Sequence, residues 1–152
     1  MAATRDEVIA ALRKAYMMEV ETVINYLANS LHLEGVRAEA IKSSLAADIN
    51  EELNHARRLG NRIKQLGGSI PGSRDLKFTQ DPLQPPKDPT DVVGVIRGVL
   101  AAEDEAIKHY QAIIRMTEGD DYVTQELAIS NLADEDAHRQ QFEGYLKEYT
   151  KG

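Results

Sequence analysis

The chain has 152 residues, 42% of them hydrophobic, and a formal net charge of -7. That length and apolar content suit a single folded domain, here residues 1–152, and exclude a disordered chain. The acidic balance argues against a nucleic-acid partner, which needs clustered Lys and Arg, and the absence of cysteine excludes disulfides, thiolate metal sites and cysteine nucleophiles.

Thr4 and Glu7 form a capping-box pattern that opens a first helix. It runs to about Glu34, where Gly35 stops it. A second helix is predicted from about Val36 to Leu66, ended by Gly67-Gly68. All five prolines then follow in one stretch, from Pro71 to Pro89. Asp88-Pro89 offers an N-cap and a proline at the first helical position, which opens a third helix running to about Glu118-Gly119. A fourth runs from about Asp121 to Tyr149. No apolar run is long enough to cross a membrane and no cleavable leader opens the chain, so no membrane partner and a cytoplasmic location are expected.

Connection lengths constrain the topology. The first and second helices, and the third and fourth, are joined by a few residues, so each pair forms an antiparallel hairpin. The proline-rich connection is roughly twenty residues and reaches about 65 Å when extended, whereas a thirty-residue helix is about 45 Å long. It can therefore cross the whole bundle and leave the second and third helices parallel. The predicted fold is an all-α four-helix bundle of two antiparallel hairpins joined by a long crossover loop.

The two halves of the chain repeat each other. Glu19, Glu21 and Tyr26 recur at the same spacing as Glu103, Glu105 and Tyr110, and Glu52-x-x-His55 recurs as Glu135-x-x-His138. Two such hairpins packed face to face have a pseudo-twofold axis, and a site on that axis receives one set of ligands from each.

Each apolar stripe is interrupted by one glutamate, near the middle of its helix. The first reads Leu12, Tyr16, Glu19, Val23, Tyr26, and the second Ile41, Leu45, Ile49, Glu52, Ala56, Leu59, Ile63. The third reads Ile96, Val99, Glu103, Ile107, Tyr110, Ile113, and the fourth Leu127, Asn131, Glu135, His138, Phe142, Tyr145. The histidines at i+3 share the face of their glutamates. One interrupted stripe is most simply a glutamate rotated to solvent. Four at one height, with no Lys or Arg in any stripe, are read as a metal site, because buried unpaired carboxylates are costly. Four carboxylates and two divalent cations balance in charge, and oxygen and imidazole donors suit iron, manganese or zinc.

This pattern resembles the ferritin-like superfamily, the bacterioferritins in particular, from about residue 8 to 149. It is the ligand arrangement described for ferritin-like di-iron bundles. The resemblance implies two iron ions per chain, with Glu52 and Glu135 bridging them. Glu19 and His55 would complete one set of ligands, Glu103 and His138 the other. Tyr26 stands where a tyrosine lies near the di-iron centre of bacterioferritins and joins the candidate catalytic residues. The plainer reading makes Tyr26 and Tyr110 core aromatics with satisfied hydroxyls. Metal-binding histidines donate their second N–H to a carboxylate, which predicts Asp134 as the partner of His55 and Glu51 as that of His138. His32 and His109 are expected at the surface, and Gly94 and Gly98 in a close-packed stripe.

Departures from the family's patterns narrow the reading. Leu53 stands where bacterioferritins carry the haem-ligating methionine, so no haem is expected. Ala106 stands where rubrerythrins have an additional glutamate. The intrachain site differs from the inter-subunit site of the DNA-protecting mini-ferritins (Dps). Fourteen residues follow His138, too few for the fifth helix of ferritin cages, which favours twelve subunits over twenty-four in a homo-oligomer. The leading function is iron storage and detoxification, with Fe(II) oxidised by oxygen or peroxide at a ferroxidase centre. The alternative is a non-storing di-iron or di-manganese peroxidase or catalase-type enzyme, and behind both stands a zinc-bound or metal-free structural bundle.

Overall fold

The computed structural model describes residues 2–151. Four long helices carry the fold: α1 (Arg5–His32), α2 (Glu39–Gln65), α3 (Val92–Thr117) and α4 (Tyr122–Tyr149), with no strand among the described residues. α1 lies mainly against α2 and α3 mainly against α4, so the molecule is two hairpins laid together.

The capping box opens α1 as the sequence predicts: Thr4 accepts from the Glu7 N–H and Glu7 accepts from the Thr4 N–H. Gly35 and Gly67, at φ +104° and +89°, follow the ends of α1 and α2, where a left-handed residue is needed to turn the chain away. Two predicted starts are corrected. α2 begins at Glu39, after a turn over residues 36–38. α3 begins at Val92 with Asp91 as its cap, the Asp91 carboxylate accepting from the Gly94 N–H. Asp88 is used one turn earlier, where its carboxylate accepts from both the N–H and the hydroxyl of Thr90.

The crossover runs along α1 from one end to the other. Arg13 bonds the Ser69 carbonyl, Asn29 donates to the Leu83 carbonyl at 2.8 Å, and the Glu34 N–H donates to the Pro89 carbonyl at 2.9 Å. α2 therefore ends beside the start of α1, α3 begins beside its end, and α2 and α3 are parallel. The loop is not structureless: it contains 3-10 turns at Ser73–Asp75 and Asp81–Leu83. The second turn lies against α3 at Gly98, where a Cβ would stand 2.3 Å from the Pro82 carbonyl oxygen. Gly94 has a different reason, since a Cβ there would meet the Asp91 cap at 2.4 Å.

Two apolar clusters fill the bundle. One gathers Ile41, Leu45, Ile96, Val99 and Phe142, and the other gathers Leu12, Leu59, Ile63, Ile113 and Ala128. The six predicted ligands lie between them in sequence on every helix, and all six are buried.

Candidate metal centre

Each helix contributes its interruption to one place. Glu19 of α1, Glu52 and His55 of α2 and Glu135 of α4 each offer a donor atom within 4.8 Å of the others'. Glu52, Glu103 of α3, Glu135 and His138 of α4 form a second such group. Glu52 and Glu135 belong to both. This is the sharing that two adjacent ions with two bridging carboxylates require.

The histidines are held from outside. His55 Nε2 lies 2.9 Å from the Asp134 carboxylate, and His138 Nε2 lies 2.8 Å from Glu51. A ring whose Nε2–H donates outward leaves Nδ1 with its lone pair aimed inward. His55 Nδ1 stands 2.9 Å from Glu135 and 3.4 Å from Glu19, and His138 Nδ1 stands 3.1 Å from Glu52. Neither Nδ1 makes a hydrogen bond.

Eight buried side-chain atoms among the described residues lack a hydrogen-bond partner, and six of them come one each from Glu19, Glu52, His55, Glu103, Glu135 and His138. Buried polar atoms are ordinarily satisfied, because an orphan forfeits its hydration. Six such atoms drawn together have the donor chemistry that iron, manganese or zinc takes: oxygen and imidazole nitrogen, no sulfur.

The two tyrosines cross the pseudo-twofold. Tyr26 donates from its hydroxyl to Glu103 and Tyr110 to Glu19, each at 2.7 Å. Each hydroxyl fixes the terminal glutamate of the other hairpin. Asn131 adds a bond of 3.1 Å to the Tyr110 oxygen. The position matching Asn131 in the first half is Asp48, whose carboxylate lies 3.7 Å from His138.

The electrostatics follow from crowding. Burial, and then neighbouring carboxylates, raise the proton affinity of Glu52, Glu103 and Glu135 well above that of an ordinary glutamate. Glu19 goes the other way: burial pushes it up, but the facing Glu52 and then His55 outweigh that and hold it below the usual range. Burial disfavours the charged form of both histidines, yet the carboxylates around them win and raise His55 and His138 above the ordinary imidazole value. Burial, and then the facing glutamates, raise the phenols of Tyr26 and Tyr110.

The other histidines depart from their surface assignment. His32 is half-buried and its Nε2 lies 2.6 Å from the Pro86 carbonyl, which ties the crossover to α1. His109 Nε2 lies 2.8 Å from the Ala11 carbonyl and joins α3 to α1. Sequence reasoning also missed Glu21. Its buried carboxylate accepts from the Thr79 and Gln80 N–H groups at 3.0 and 2.7 Å and clamps the crossover over α1.

Two hairpins with a long crossover, enclosing a buried carboxylate–histidine cluster that could hold metal, define a four-helix bundle of the ferritin-like class. The chain belongs to the family of the ferritin-like domain, which matches it over residues 9–151. It is 32% identical over 145 residues to the "DNA protection during starvation protein" of Pyrococcus furiosus, covering 93% of this chain and 77% of that one. Solved structures share the fold at lower identity. A dodecameric thioferritin, the bacterioferritin-related protein of Bacteroides fragilis, superposes with a TM-score of 0.83 at 23% identity, over 98% of this chain and 89% of its own. A ferritin-like diiron-carboxylate protein of Bacillus anthracis gives 0.78 at 24%, over 96% and 99%. The bacterioferritin of Rhodobacter capsulatus gives 0.81 at 23%, over 98% and 88%.

Proposed function

We propose that this protein takes up Fe(II), oxidises it at the paired site and retains the ferric product within a homo-oligomeric shell. The observation that carries this reading is the set of six orphaned donor atoms, one from each candidate ligand. Membership of the ferritin-like family supports iron storage or protection in general. Glu19 and His55 would hold one ion, Glu103 and His138 the other, with Glu52 and Glu135 shared. Each Fe(II) gives up one electron, and dioxygen takes both together with two protons to become hydrogen peroxide. Peroxide as the oxidant takes two electrons and two protons to become water. Pairing the electrons avoids releasing one-electron radicals.

The residues of the chain supply position and charge. Tyr26 and Tyr110 fix the rotamers of Glu103 and Glu19, and Asp134 and Glu51 fix the imidazoles. A carboxylate-rich pocket favours Fe(III) over Fe(II), because four negative charges stabilise the more highly charged ion more. Leu53 supplies no donor to haem iron, so haem plays no part in this reading. A twelve-subunit shell is favoured over twenty-four, in keeping with the dodecameric Bacteroides fragilis protein. Protection here means removal of iron and oxidant, since the net charge of -7 gives no reason for the chain to coat DNA.

The test is aerobic iron turnover. Wild-type protein is expected to oxidise well beyond two irons per chain and to keep the ferric product soluble. Glu103→Ala is expected to lose most of the rate, because one ion loses its terminal carboxylate. Oxidation of only the first two irons, with catalytic peroxide removal by an organic reductant, would establish the non-storing enzyme instead. A Glu103→Ala rate equal to wild type would overturn the ligand assignment.

A further inference from the structure

The α1/α3 side of the bundle carries a way in that the ligand set does not explain. A groove of about 750 Å³ lies there, floored in part by Met18, Gln80 and Ala102. The same three residues line a second, much smaller space of about 10 Å³, whose far wall is Glu19, Glu103 and Glu135. Thr22 and Ala106 complete the small space. Its volume is about the least that admits a single water, so the passage is closed as it stands. Met18, Gln80 and Ala102 line both spaces and so stand between the carboxylates and the open groove.

Gln80 belongs to the crossover, and three hydrogen bonds hold it to α1. Its main-chain N–H donates to buried Glu21 at 2.7 Å. Its side-chain amide donates to the Thr22 hydroxyl at 2.7 Å and accepts from the Asn25 amide at 2.8 Å. Glu21 fixes the main chain, and the side chain is held by those two hydrogen bonds alone among the hydrogen bonds of the described residues. Turning it breaks two hydrogen bonds and leaves the loop where it is. The small space, apart from the ligands themselves, is lined by uncharged groups. The groove outside it carries both signs, Lys14 and Lys108 beside Asp104 and Glu105, whereas on the opposite side Asp48, Glu51 and Asp134 stand around the outer edges of His138 and His55. Acids of that kind favour a cation, and an uncharged aperture one molecule wide favours a small neutral solute.

We propose that the neutral oxidant, dioxygen or hydrogen peroxide, reaches the paired-metal position through the α1/α3 aperture, and that Gln80 is its gate. This rests on the ferroxidase reading above, and the experiment separates the two. Ala106 sets the width beyond the gate. A glutamate or leucine there would fill a space of only about 10 Å³.

Nitric oxide is the probe, because it is a neutral diatomic whose binding to Fe(II) is read from a spectrum without turnover. Protein loaded anaerobically with Fe(II) is mixed with nitric oxide in a stopped-flow instrument, and the bound iron is counted in the same samples. Gln80→Ala removes both side-chain hydrogen bonds of the closed gate and is expected to raise the association rate about tenfold. Met18→Ala, on the same wall, is also expected to raise it. Ala106→Leu is expected to slow it, with the iron count unchanged in every variant. Unchanged association rates in Gln80→Ala and Met18→Ala, at full iron occupancy, would overturn the gate and leave the ferroxidase reading standing. A wild-type chain that binds no Fe(II) would remove both.

Discussion

The two apolar clusters and the charged layer between them are built from the same four helices, yet they answer to different demands. The clusters are closed systems: Ile41, Leu45, Ile96, Leu59, Ile63 and Ile113 are fully buried and have no polar atoms to satisfy. The layer is as deeply buried, and six of its donor atoms are left unpaired. In the clusters, burial is the source of stability. In the layer, burial is a cost, carried because the geometry has another use. The fold is thus held from above and below, and the middle is free to be arranged for ligands.

The largest effect that would sharpen this contrast is a cut into a cluster. Leu59→Ala or Ile96→Ala should lose about 3 kcal/mol of stability, by the cost of a buried cavity. Chemical denaturation should give the same loss with and without metal, because neither residue supplies a donor atom to the layer. A loss confined to the metal-loaded protein would break the comparison.

A smaller effect is expected from the partners of the layer. Asp134→Asn leaves both clusters intact but removes the carboxylate that holds His55 Nε2. Metal affinity at the Glu19 and His55 position should fall by about 10- to 100-fold, the usual cost of removing such a partner. Calorimetric titration of the variant should show one weakened ion and one unchanged, with little loss of metal-free stability.

The smallest effect is the pH dependence of the metal-free protein. Glu52, Glu103 and Glu135 bind protons more tightly folded than unfolded, and so do His55 and His138. Stability from such groups is fully present below the unfolded values, near 4.5 for glutamate and 6.5 for histidine, and is lost as pH rises through the folded ones. Glu19, with its lowered value, opposes this as one group against five. Metal-free protein should therefore lose on the order of 1 kcal/mol between about pH 5 and pH 8, and less in Glu52→Gln. Metal-loaded protein should run the other way, because protons compete with the ion for the same atoms. Thermal melts of both forms across that range measure it.

The layer was legible in the sequence because it is an exception inside a period. A glutamate in the middle of an apolar stripe is visible on each helix separately, and the 83- and 84-residue offsets tie the exceptions together. The partners Asp134 and Glu51 were legible for the same reason, since each directly precedes one of the two glutamates shared by both donor groups. The clamps on the crossover were not. Glu21, His32, Asn25 and Asn29 bond to residues more than fifty positions away, several of them backbone groups of a loop without periodicity. No local pattern records such a contact. The start of α3 was misplaced because two Asp residues three apart both have capping chemistry, and the tie is broken by which turn the loop makes before it.

The central claim is that the layer is a site for two ions that share Glu52 and Glu135. Anaerobic titration with Fe(II), read by calorimetry and by metal analysis of the washed protein, tests it most directly. Wild-type chains should bind two ions each, and the Glu52→Ala/Glu135→Ala double variant should lose the pair while remaining folded on its apolar clusters. Saturation at one ion per wild-type chain, or two ions retained by the double variant, would contradict it.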